Sequence, residues 1–165
     1  RASAYDQPTL GGVYKLAAVR PGPGAPWEDR LKISESTAKL TTPGVLDVRR
    51  YYHGNGTVAG DMVFDVNRPP AGREVIVDPL DDLRQKNLSG LSFETLLAPL
   101  ARGGRVVLAP QFRNACAARE RAAAGLDRLD ETQLRMLNPH TYPVGLEAGL
   151  SDRRRGLVAE LRHIL

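Results

Sequence analysis

The sequence is poor in the residue types that most often carry chemistry. Among its 165 residues it has one cysteine, Cys116, three histidines and only 5% aromatic side chains. A single cysteine cannot form an internal disulfide bond, which is compatible with a reducing compartment, and we take the cytoplasm as the default location. Because the sequence around Cys116 is rich in alanine, we expect a small buried thiol there rather than a nucleophile.

The histidines and the paired glycines do not form a recognisable site. His53, His140 and His163 are separated by long intervals and lack acidic partners at metal-ligand spacing. The Gly-Gly pairs at residues 11–12 and 103–104 lack the spacing of a dinucleotide or phosphate loop. We expect close packing at the first pair and a turn at the second. The residues alone therefore predict no catalytic group and no metal site.

Neither membranes nor nucleic acids are expected as partners. No apolar run approaches the ~20 residues of a membrane helix, and the chain has no charged-then-apolar leader of the signal-peptide kind. The formal charge is +4 and the pI is about 9.5, but acidic residues are interleaved with the arginines. The one arginine run, at residues 153–155, falls at the start of a predicted amphipathic helix, where we expect a solvated face. Few aromatic side chains are available to stack on bases.

Apolar alternation and turn residues predict strands in the first part of the chain. The expected strands lie at residues 13–19, 30–34, 45–52, 57–64 and 74–77. The first two should pair as an antiparallel hairpin. The third and fourth should pair across residues 53–56, whose Asn-Gly step favours positive φ angles. Residues 93–97 fit a strand or a helix, and the Gly-Gly turn at residues 103–104 predicts a further strand pair around it.

Helical periodicity dominates the C-terminal part. Asn114 is a plausible cap for a helix whose apolar face comprises Ala118, Ala122, Leu126 and Leu129. A short helix is predicted at residues 131–137, stopped by Pro139. Ser151 is predicted to cap the last helix, which runs to the end of the chain and buries a stripe of Leu157, Val158, Leu161, Ile164 and Leu165.

This order of elements predicts an α/β chain of the α+β type, with mixed and antiparallel strands followed by C-terminal helices. We expect a β-rich region at residues 13–113 and a helical region at residues 114–165 that packs on it. On that basis Leu161→Ala should cost about 2–5 kcal/mol of stability, and Arg154→Ala about 0.5 kcal/mol or less.

Four segments, in order, resemble nicotinate phosphoribosyltransferases. They are residues 5–16 (YDQPTLGGVYKL), 30–35 (RLKISE), 41–44 (TTPG) and 138–146 (NPHTYPVGL). The first three are similar to segments in the carboxy-terminal third of these enzymes, and the last resembles the segment that precedes their final helix. The resemblance spans nearly the whole chain and identifies it as a carboxy-terminal portion of the family.

The resemblance implies that the full-length protein is an enzyme of NAD salvage. Members of the family join nicotinate to phosphoribosyl pyrophosphate, giving nicotinate mononucleotide and pyrophosphate, with ATP hydrolysis coupled to turnover and Mg²⁺ assisting. Their fold is an irregular α/β barrel with an associated mixed domain, and this chain resembles that appendage. The implied partners are the upstream barrel portion and a second copy in a homodimer. The fragment itself is expected to bind no cofactor and to be catalytically incomplete.

The candidate substrate-binding residues implied by the resemblance are Tyr5, Asp6 and Gln7. Residues 1–12 correspond to the end of the barrel domain, directly after the family's glycine-rich phosphate loop, Gly-x-Gly-Thr. Because the chain begins at Arg1, we expect that loop and the catalytic histidine to lie upstream. Tyr5, Asp6 and Gln7 would then support the loop from behind. The alternative is that Asp6 and Gln7 only turn the chain into the next strand.

A second hypothesis assigns the chain to a different functional class. It is a non-enzymatic interaction or scaffold domain, derived from the same family after loss of the barrel. Both hypotheses predict that this chain carries no catalytic residue of its own.

Overall fold

The computed structural model describes residues 15–33, 40–109 and 114–164. Its elements, in chain order, are β1 (Ala18–Val19), β2 (Glu28–Asp29), β3 (Leu46–Tyr52), β4 (Val58–Asp65), β5 (Val75–Val77), β6 (Gln85–Asn87), β7 (Ser92–Thr95), β8 (Ala101–Arg102), β9 (Arg105–Val106), α1 (Ala115–Leu126), β10 (Val144–Glu147) and α2 (Ala148–Ile164). Six strands form one mixed sheet in the order β6-β5-β10-β4-β3-β7, while β1-β2 and β8-β9 form two-stranded ribbons. The predicted α+β class is confirmed.

The hairpin of β3 and β4 lies where the alternating pattern predicts it. The two strands pair antiparallel along their length. The backbone N–H of His53 donates to the Thr57 carbonyl at 2.8 Å, and Gly56 completes the reversal with φ +83°. That left-handed conformation costs glycine little because it has no Cβ. This hairpin carries much of the hydrophobic core.

The core is formed mainly by the larger sheet. Its most buried members are Tyr51, Ala59, Met62, Phe64, Ile76 and Leu88. The Tyr51 hydroxyl lies 3.6 Å from the Met62 sulfur. Burial raises the pKa of Tyr51 to about 12, because the charged phenolate would lose its hydration.

Strand β10 is inserted between β4 and β5, although it lies far from both in sequence. It runs parallel to β4 and antiparallel to β5. A Cβ atom at Gly145 would lie 2.7 Å from the Val77 carbonyl oxygen, and one at Gly60 would lie 2.9 Å from the Pro143 carbonyl oxygen. Both separations are too short for real Cβ atoms. Glycine at these positions therefore lets the strands close around β10.

Helix α2 begins directly after β10 and is capped by a glutamate. The Glu147 carboxylate accepts hydrogen bonds from the backbone N–H groups of Gly149 and Leu150, both at 2.8 Å. The unpaired donors and the dipole of a helix N-terminus favour an anion at this place. The predicted cap, Ser151, is wrong, because this residue lies inside the helix and is buried. The helix packs on β5 and β10.

The arginine run at residues 153–155 is solvated only in part: Arg155 is exposed as predicted, but Arg153 is half-buried and the prediction is wrong for Arg154. Arg154 is only 8% exposed, and its guanidinium donates to the carbonyl oxygens of Thr41 at 3.4 Å and Pro79 at 3.1 Å. Burial lowers the pKa of Arg154, since the charged form loses hydration. The small cost expected for Arg154→Ala rested on exposure and does not hold for a residue in this environment.

Residues 131–137 form turns rather than the predicted helix. The Asp130 carboxylate accepts hydrogen bonds from the backbone N–H and the hydroxyl of Thr132. The Thr132 carbonyl accepts from the backbone N–H of His140 at 2.9 Å. An aspartate side chain that accepts a hydrogen bond from the N–H two residues ahead competes with helix formation. The Thr132 carbonyl, which a helix would use for the N–H four residues on, instead accepts from His140.

Helix α1 buries none of its residues. Asn114 caps it as predicted, because its side-chain oxygen accepts from the Ala117 N–H at 2.8 Å. Cys116 is exposed, so the prediction of a buried thiol is wrong. The predicted apolar face borders an open cleft, to which Ala122 and Leu126 contribute. The alanine-rich sequence predicted the helix correctly, but it did not predict how the helix packs.

The first ribbon is shifted from its predicted position. β1 pairs antiparallel with Glu28–Asp29, not with residues 30–34, although Arg30 continues the pairing by donating its N–H to the Ala17 carbonyl at 2.8 Å. The later pair, β8 and β9, turns through Gly103 and Gly104, both with positive φ, as predicted. β7 resolves the ambiguity at residues 93–97 in favour of a strand.

Neither described helix is long and apolar enough to cross a bilayer.

Candidate functional site

The residues that resemble the family motif at 138–146 are held by a buried aspartate. The hydroxyl of Tyr142 donates to Asp61 Oδ1 at 2.8 Å. Arg50 donates from Nε and Nη2 to the two oxygens of the same carboxylate, at 2.9 and 2.8 Å. We call Arg50, Asp61 and Tyr142 the carboxylate node. It joins β3, β4 and the segment that leads into β10.

The two hydrogen-bond donors of the node, Arg50 and Tyr142, both have raised pKa values. Hydrogen bonds to Asp61 raise the pKa of Arg50, so its guanidinium stays charged. Burial, and then the hydrogen bond to Asp61, raise the pKa of Tyr142, so its hydroxyl stays protonated and acts as a donor. Both oxygens of the Asp61 carboxylate already accept hydrogen bonds from these two side chains. The node is therefore better suited to fixing the backbone than to proton transfer.

A cleft of about 760 Å³ opens beside the node, between α1 and the sheet edge formed by β3 and β7. On the sheet side it is lined by Arg50, Tyr52, Glu94 and Leu96, and Tyr142 also borders it. Tyr52 donates its hydroxyl to the Glu94 carboxylate. Burial, and then this hydrogen bond, raise the pKa of Tyr52.

The helix side of the cleft adds cationic and apolar groups. It is lined by Arg121, Ala122, Ala124, Gly125, Leu126, Arg128 and Leu129. The Arg128 guanidinium lies 5.4 Å from the centre of the Tyr52 ring, within the range of a cation–π contact. The Arg128 carbonyl accepts from the Val58 N–H at 2.9 Å, which ties the end of α1 to the start of β4. The cleft therefore combines arginines with apolar side chains around one carboxylate, Glu94.

A second charged cluster joins the first ribbon to the rest of the fold. Arg153 Nη2 lies 3.1 Å from the Asp65 carboxylate, and its Nε lies 3.6 Å from Asp29. Arg68 also pairs with Asp29, at 3.1 Å. Asp65 is buried, so these contacts satisfy a carboxylate that would be costly to leave unpaired. The cluster fixes residues 15–33 against β4 and α2.

The Mg²⁺ implied by the resemblance finds no ligand set in the part of the chain that the structure describes. No group of three or more His, Cys, Asp or Glu side chains in these ranges could hold a metal ion. The carboxylates of Asp29 and Asp65, which share Arg153, are paired with Arg68 and Arg153. Mg²⁺ requires free oxygen ligands in octahedral geometry, so these residues do not fit it.

The sequence-predicted site residues and the residues of the node are different sets. Tyr5, Asp6 and Gln7 lie outside the described residues, so their assignment stays a prediction. Sequence reasoning missed Arg50 and Asp61. A signal was present, because Asp61 interrupts an apolar run at residues 58–64, and a buried carboxylate requires a partner. The sequence did not show which arginine supplies it.

The fold and the node together define an α+β domain whose C-terminal motif completes the sheet. Residues 47–154 match the family model described as the nicotinate phosphoribosyltransferase C-terminal domain. The chain belongs to this family. The predicted resemblance is confirmed over the residues that build the sheet and the first part of α2.

Individual relatives agree with this assignment. Human nicotinate phosphoribosyltransferase is 31% identical over 157 residues, which cover 94% of this chain and 27% of that protein. The Bacillus subtilis (strain 168) enzyme of the same name is 29% identical over 163 residues, or 97% of this chain and 32% of that protein. The chain thus spans between a quarter and a third of the length of these relatives.

A solved structure shares the fold. The crystal structure of human nicotinic acid phosphoribosyltransferase superposes with a TM-score of 0.57, covering 72% of this chain and 24% of that chain at 24% sequence identity. This likeness supports the architecture of the mixed sheet and its helices.

Proposed function

We propose that the chain acts as the C-terminal domain of an enzyme that joins nicotinate to phosphoribosyl pyrophosphate in NAD salvage. The observation that carries this proposal is the family match over residues 47–154. The carboxylate node and the Asp29–Asp65 cluster are saturated by arginines. The chemistry is therefore assigned to a separate catalytic portion, with which this domain works.

The proposed division of labour assigns Mg²⁺ and ATP to the catalytic portion as well. The reaction displaces pyrophosphate at the anomeric carbon of the ribose. Catalysis of such a step depends on positioning the reactants and neutralising the leaving group. The role proposed for this chain is to support the catalytic portion from one side, in the cytoplasm. The family's phosphate loop lies directly before the segment that Tyr5, Asp6 and Gln7 resemble, so these residues are proposed to support that loop.

Reconstitution tests this proposal. The 165-residue chain, the catalytic portion of a nicotinate phosphoribosyltransferase from the same organism, and a mixture of both are each given nicotinate, phosphoribosyl pyrophosphate, ATP and Mg²⁺. The chain alone should form no nicotinate mononucleotide above a blank. The mixture should work about tenfold faster than the catalytic portion alone, because correct positioning is worth at least that factor. Turnover by the purified chain, or a mixture no faster than the catalytic portion, would contradict the proposal.

The alternative function is that of a non-enzymatic interaction domain. The carboxylates that are paired with arginines fit this function as well as they fit any other non-catalytic role. It predicts that the mixture shows no rate increase while the chain remains folded and active in binding another protein. The same reconstitution therefore separates the two functions.

The proposed role of Asp6 gives a more local prediction. In a chain that joins the catalytic portion to this domain, Asp6→Ala should lower kcat/KM for phosphoribosyl pyrophosphate by about tenfold, because a displaced phosphate loop loses the alignment of its donors. The melting temperature should change little. Asp127→Ala, at the exposed end of α1, is the matched control. Normal kinetics together with a much lower melting temperature would show that Asp6 only turns the chain.

A further inference from the structure

The turn between β3 and β4 contains the one asparagine of this sequence that is followed by a glycine, Asn55 before Gly56. The amide carbon of an asparagine side chain is an electrophile, which the backbone nitrogen of the next residue attacks to close a five-membered succinimide ring. A Cβ atom on that next residue hinders the attack, and glycine has none. Asn55 therefore has the most reactive neighbour of all asparagines in the chain.

The surroundings of Asn55 leave room and water for this reaction. Asn55 and Gly56 are both exposed, and a Cβ atom placed on Gly56 would meet no atom within 4 Å. Other asparagines precede residues that are held more tightly. Leu88, which follows Asn87, is fully buried, and the residue after Asn114 is the first of helix α1. The exposed turn therefore combines an unhindered nitrogen with the solvent that the reaction needs.

The hydrogen bonds of the turn hold the Asn55 side chain close to the attacking atom. Its Oδ1 accepts from the backbone N–H and the hydroxyl of Thr57, at 3.1 and 2.7 Å. Because these donors lie beyond Gly56, they fold the side chain back over the peptide bond that joins Asn55 to Gly56. Negative charge develops on Oδ1 during the attack, and donors already directed at that oxygen stabilise it. The Gly56 N–H donates to the His53 carbonyl at 2.9 Å, and this bond breaks when the nitrogen loses its proton.

We propose that Asn55 is a site of spontaneous covalent modification, at which the side-chain amide is lost as ammonia and an isoaspartyl linkage forms in the turn. The Gly56 nitrogen gives its proton to hydroxide and bonds to Asn55 Cγ. The bond from Cγ to Nδ2 then breaks, and Nδ2 takes a proton from water and leaves as ammonia. Water opens the ring at either carbonyl: cleavage at the main-chain carbonyl gives isoaspartate, and cleavage at Cγ gives aspartate. Water is the only co-reactant, and nothing is oxidised or reduced.

Isoaspartate at this position disturbs the hairpin that carries much of the core. Its main chain runs through the former side chain, which lengthens the loop by one carbon atom. The loop is closed by the hydrogen bond from the His53 N–H to the Thr57 carbonyl, at 2.8 Å, and Tyr52 pairs with Val58 directly beside it. Loop length sets the register of a hairpin. The modification therefore strains the strand pairing next to the buried Val58 side chain.

Prolonged incubation of the complete 165-residue chain at physiological temperature in mildly alkaline buffer tests the proposal. Peptide mapping by mass spectrometry measures the loss of each asparagine amide, and enzymatic methylation with labelled S-adenosylmethionine detects isoaspartate. Asn87 is the comparison within the chain, because its Oδ1 accepts from the Ser89 N–H at 2.9 Å in the same way but its neighbour is Leu88. Asn55→Gln is the control variant, since it keeps an amide but would have to close a larger ring. Thr57→Val removes the hydroxyl donor and keeps the branched shape of the side chain.

Asn55 should lose its amide at least about tenfold faster than Asn87, because the missing Cβ has to lower the barrier by only about 1.4 kcal/mol for that factor. Part of the product should be isoaspartate, which should be absent at this position from Asn55→Gln. Thr57→Val should slow the reaction severalfold, since one donor to Oδ1 is lost. The modified chain, separated by ion exchange through its added carboxylate, should melt at a lower temperature than the fresh chain.

Two results overturn the proposal: an Asn55 amide that survives as long as that of Asn87, or a product at position 55 that contains aspartate but no isoaspartate. Equal or faster conversion in Thr57→Val overturns the role assigned to the hydroxyl. An unchanged melting temperature of the separated isoaspartyl form overturns the expected strain in the hairpin.

Discussion

Leu150→Ala should lower the free energy of unfolding by about 2–5 kcal/mol, the range for removal of a fully buried leucine side chain. Leu150 is 0% exposed and lies in the first turn of α2, where the helix packs on β5 and β10. Its loss would leave a cavity between the helix and the sheet that relaxation fills only in part. Urea denaturation followed by circular dichroism measures the change directly.

Leu161→Ala is the matched control for that experiment. The two residues lie on the same helix and the substitution removes the same atoms, but Leu161 is only half-buried. Its loss should cost less than about 2 kcal/mol, because less apolar surface is returned to water. Periodicity predicted a loss of about 2–5 kcal/mol for Leu161→Ala, but the burial of the two residues assigns that loss to Leu150→Ala. Equal losses at both positions would show that the far end of α2 is packed as tightly as its beginning.

Asp61→Ala should cost about 2–4 kcal/mol, somewhat less than the loss of a fully buried ion-pair partner because the Arg50 side chain keeps 31% exposure. The substitution removes the acceptor of three hydrogen bonds and leaves the Arg50 guanidinium without its carboxylate. Thermal and urea unfolding measure the loss.

Tyr142→Phe provides the comparison, since it removes one of those three hydrogen bonds and keeps the ring. It should cost about 0.5–1.5 kcal/mol. A loss for Asp61→Ala no larger than that for Tyr142→Phe would mean that the pairing with Arg50 contributes nothing to stability.

The sequence was sufficient where local signals and tertiary structure agree. The alternation at residues 45–64, interrupted by Asn55 and Gly56, predicted the central hairpin, because a two-residue period and a turn residue are properties of neighbouring positions. Asn114 was recognisable as a cap for the same reason. The paired glycines at residues 103–104 gave the β8–β9 turn.

The predictions failed where the decisive contact comes from a distant part of the chain. Arg154 reads as part of a solvated run, but the carbonyl groups that hold it belong to Thr41 and Pro79. The cap of α2 was placed at Ser151 because serine is a common cap residue, whereas Glu147 reaches the free N–H groups as the chain leaves β10. Cys116 was expected to be buried because an alanine-rich face suggests packing, but no residue of α1 is buried among the described residues.

The candidate site shows the same limit more strongly. Family resemblance located the motif at residues 138–146, but not the reason for its residue types. The structure supplies that reason: Tyr142 donates to Asp61, and Gly145 leaves room for the Val77 carbonyl. Neither partner is near the motif in sequence, so no pattern in a single sequence could have paired them.

The insertion of β10 between β4 and β5 sets the order in which this domain can fold. During synthesis β4 and β5 emerge from the ribosome well before β10. They do not pair with each other, and only β10 joins them by pairing with both. The sheet therefore cannot close until residues 144–147 have left the exit tunnel, and until then the inner edges of β4 and β5 remain open to other chains. Long-range pairing of this kind slows folding. A nascent chain stalled before residue 144 would consequently be prone to aggregate, whereas one stalled after α2 would not.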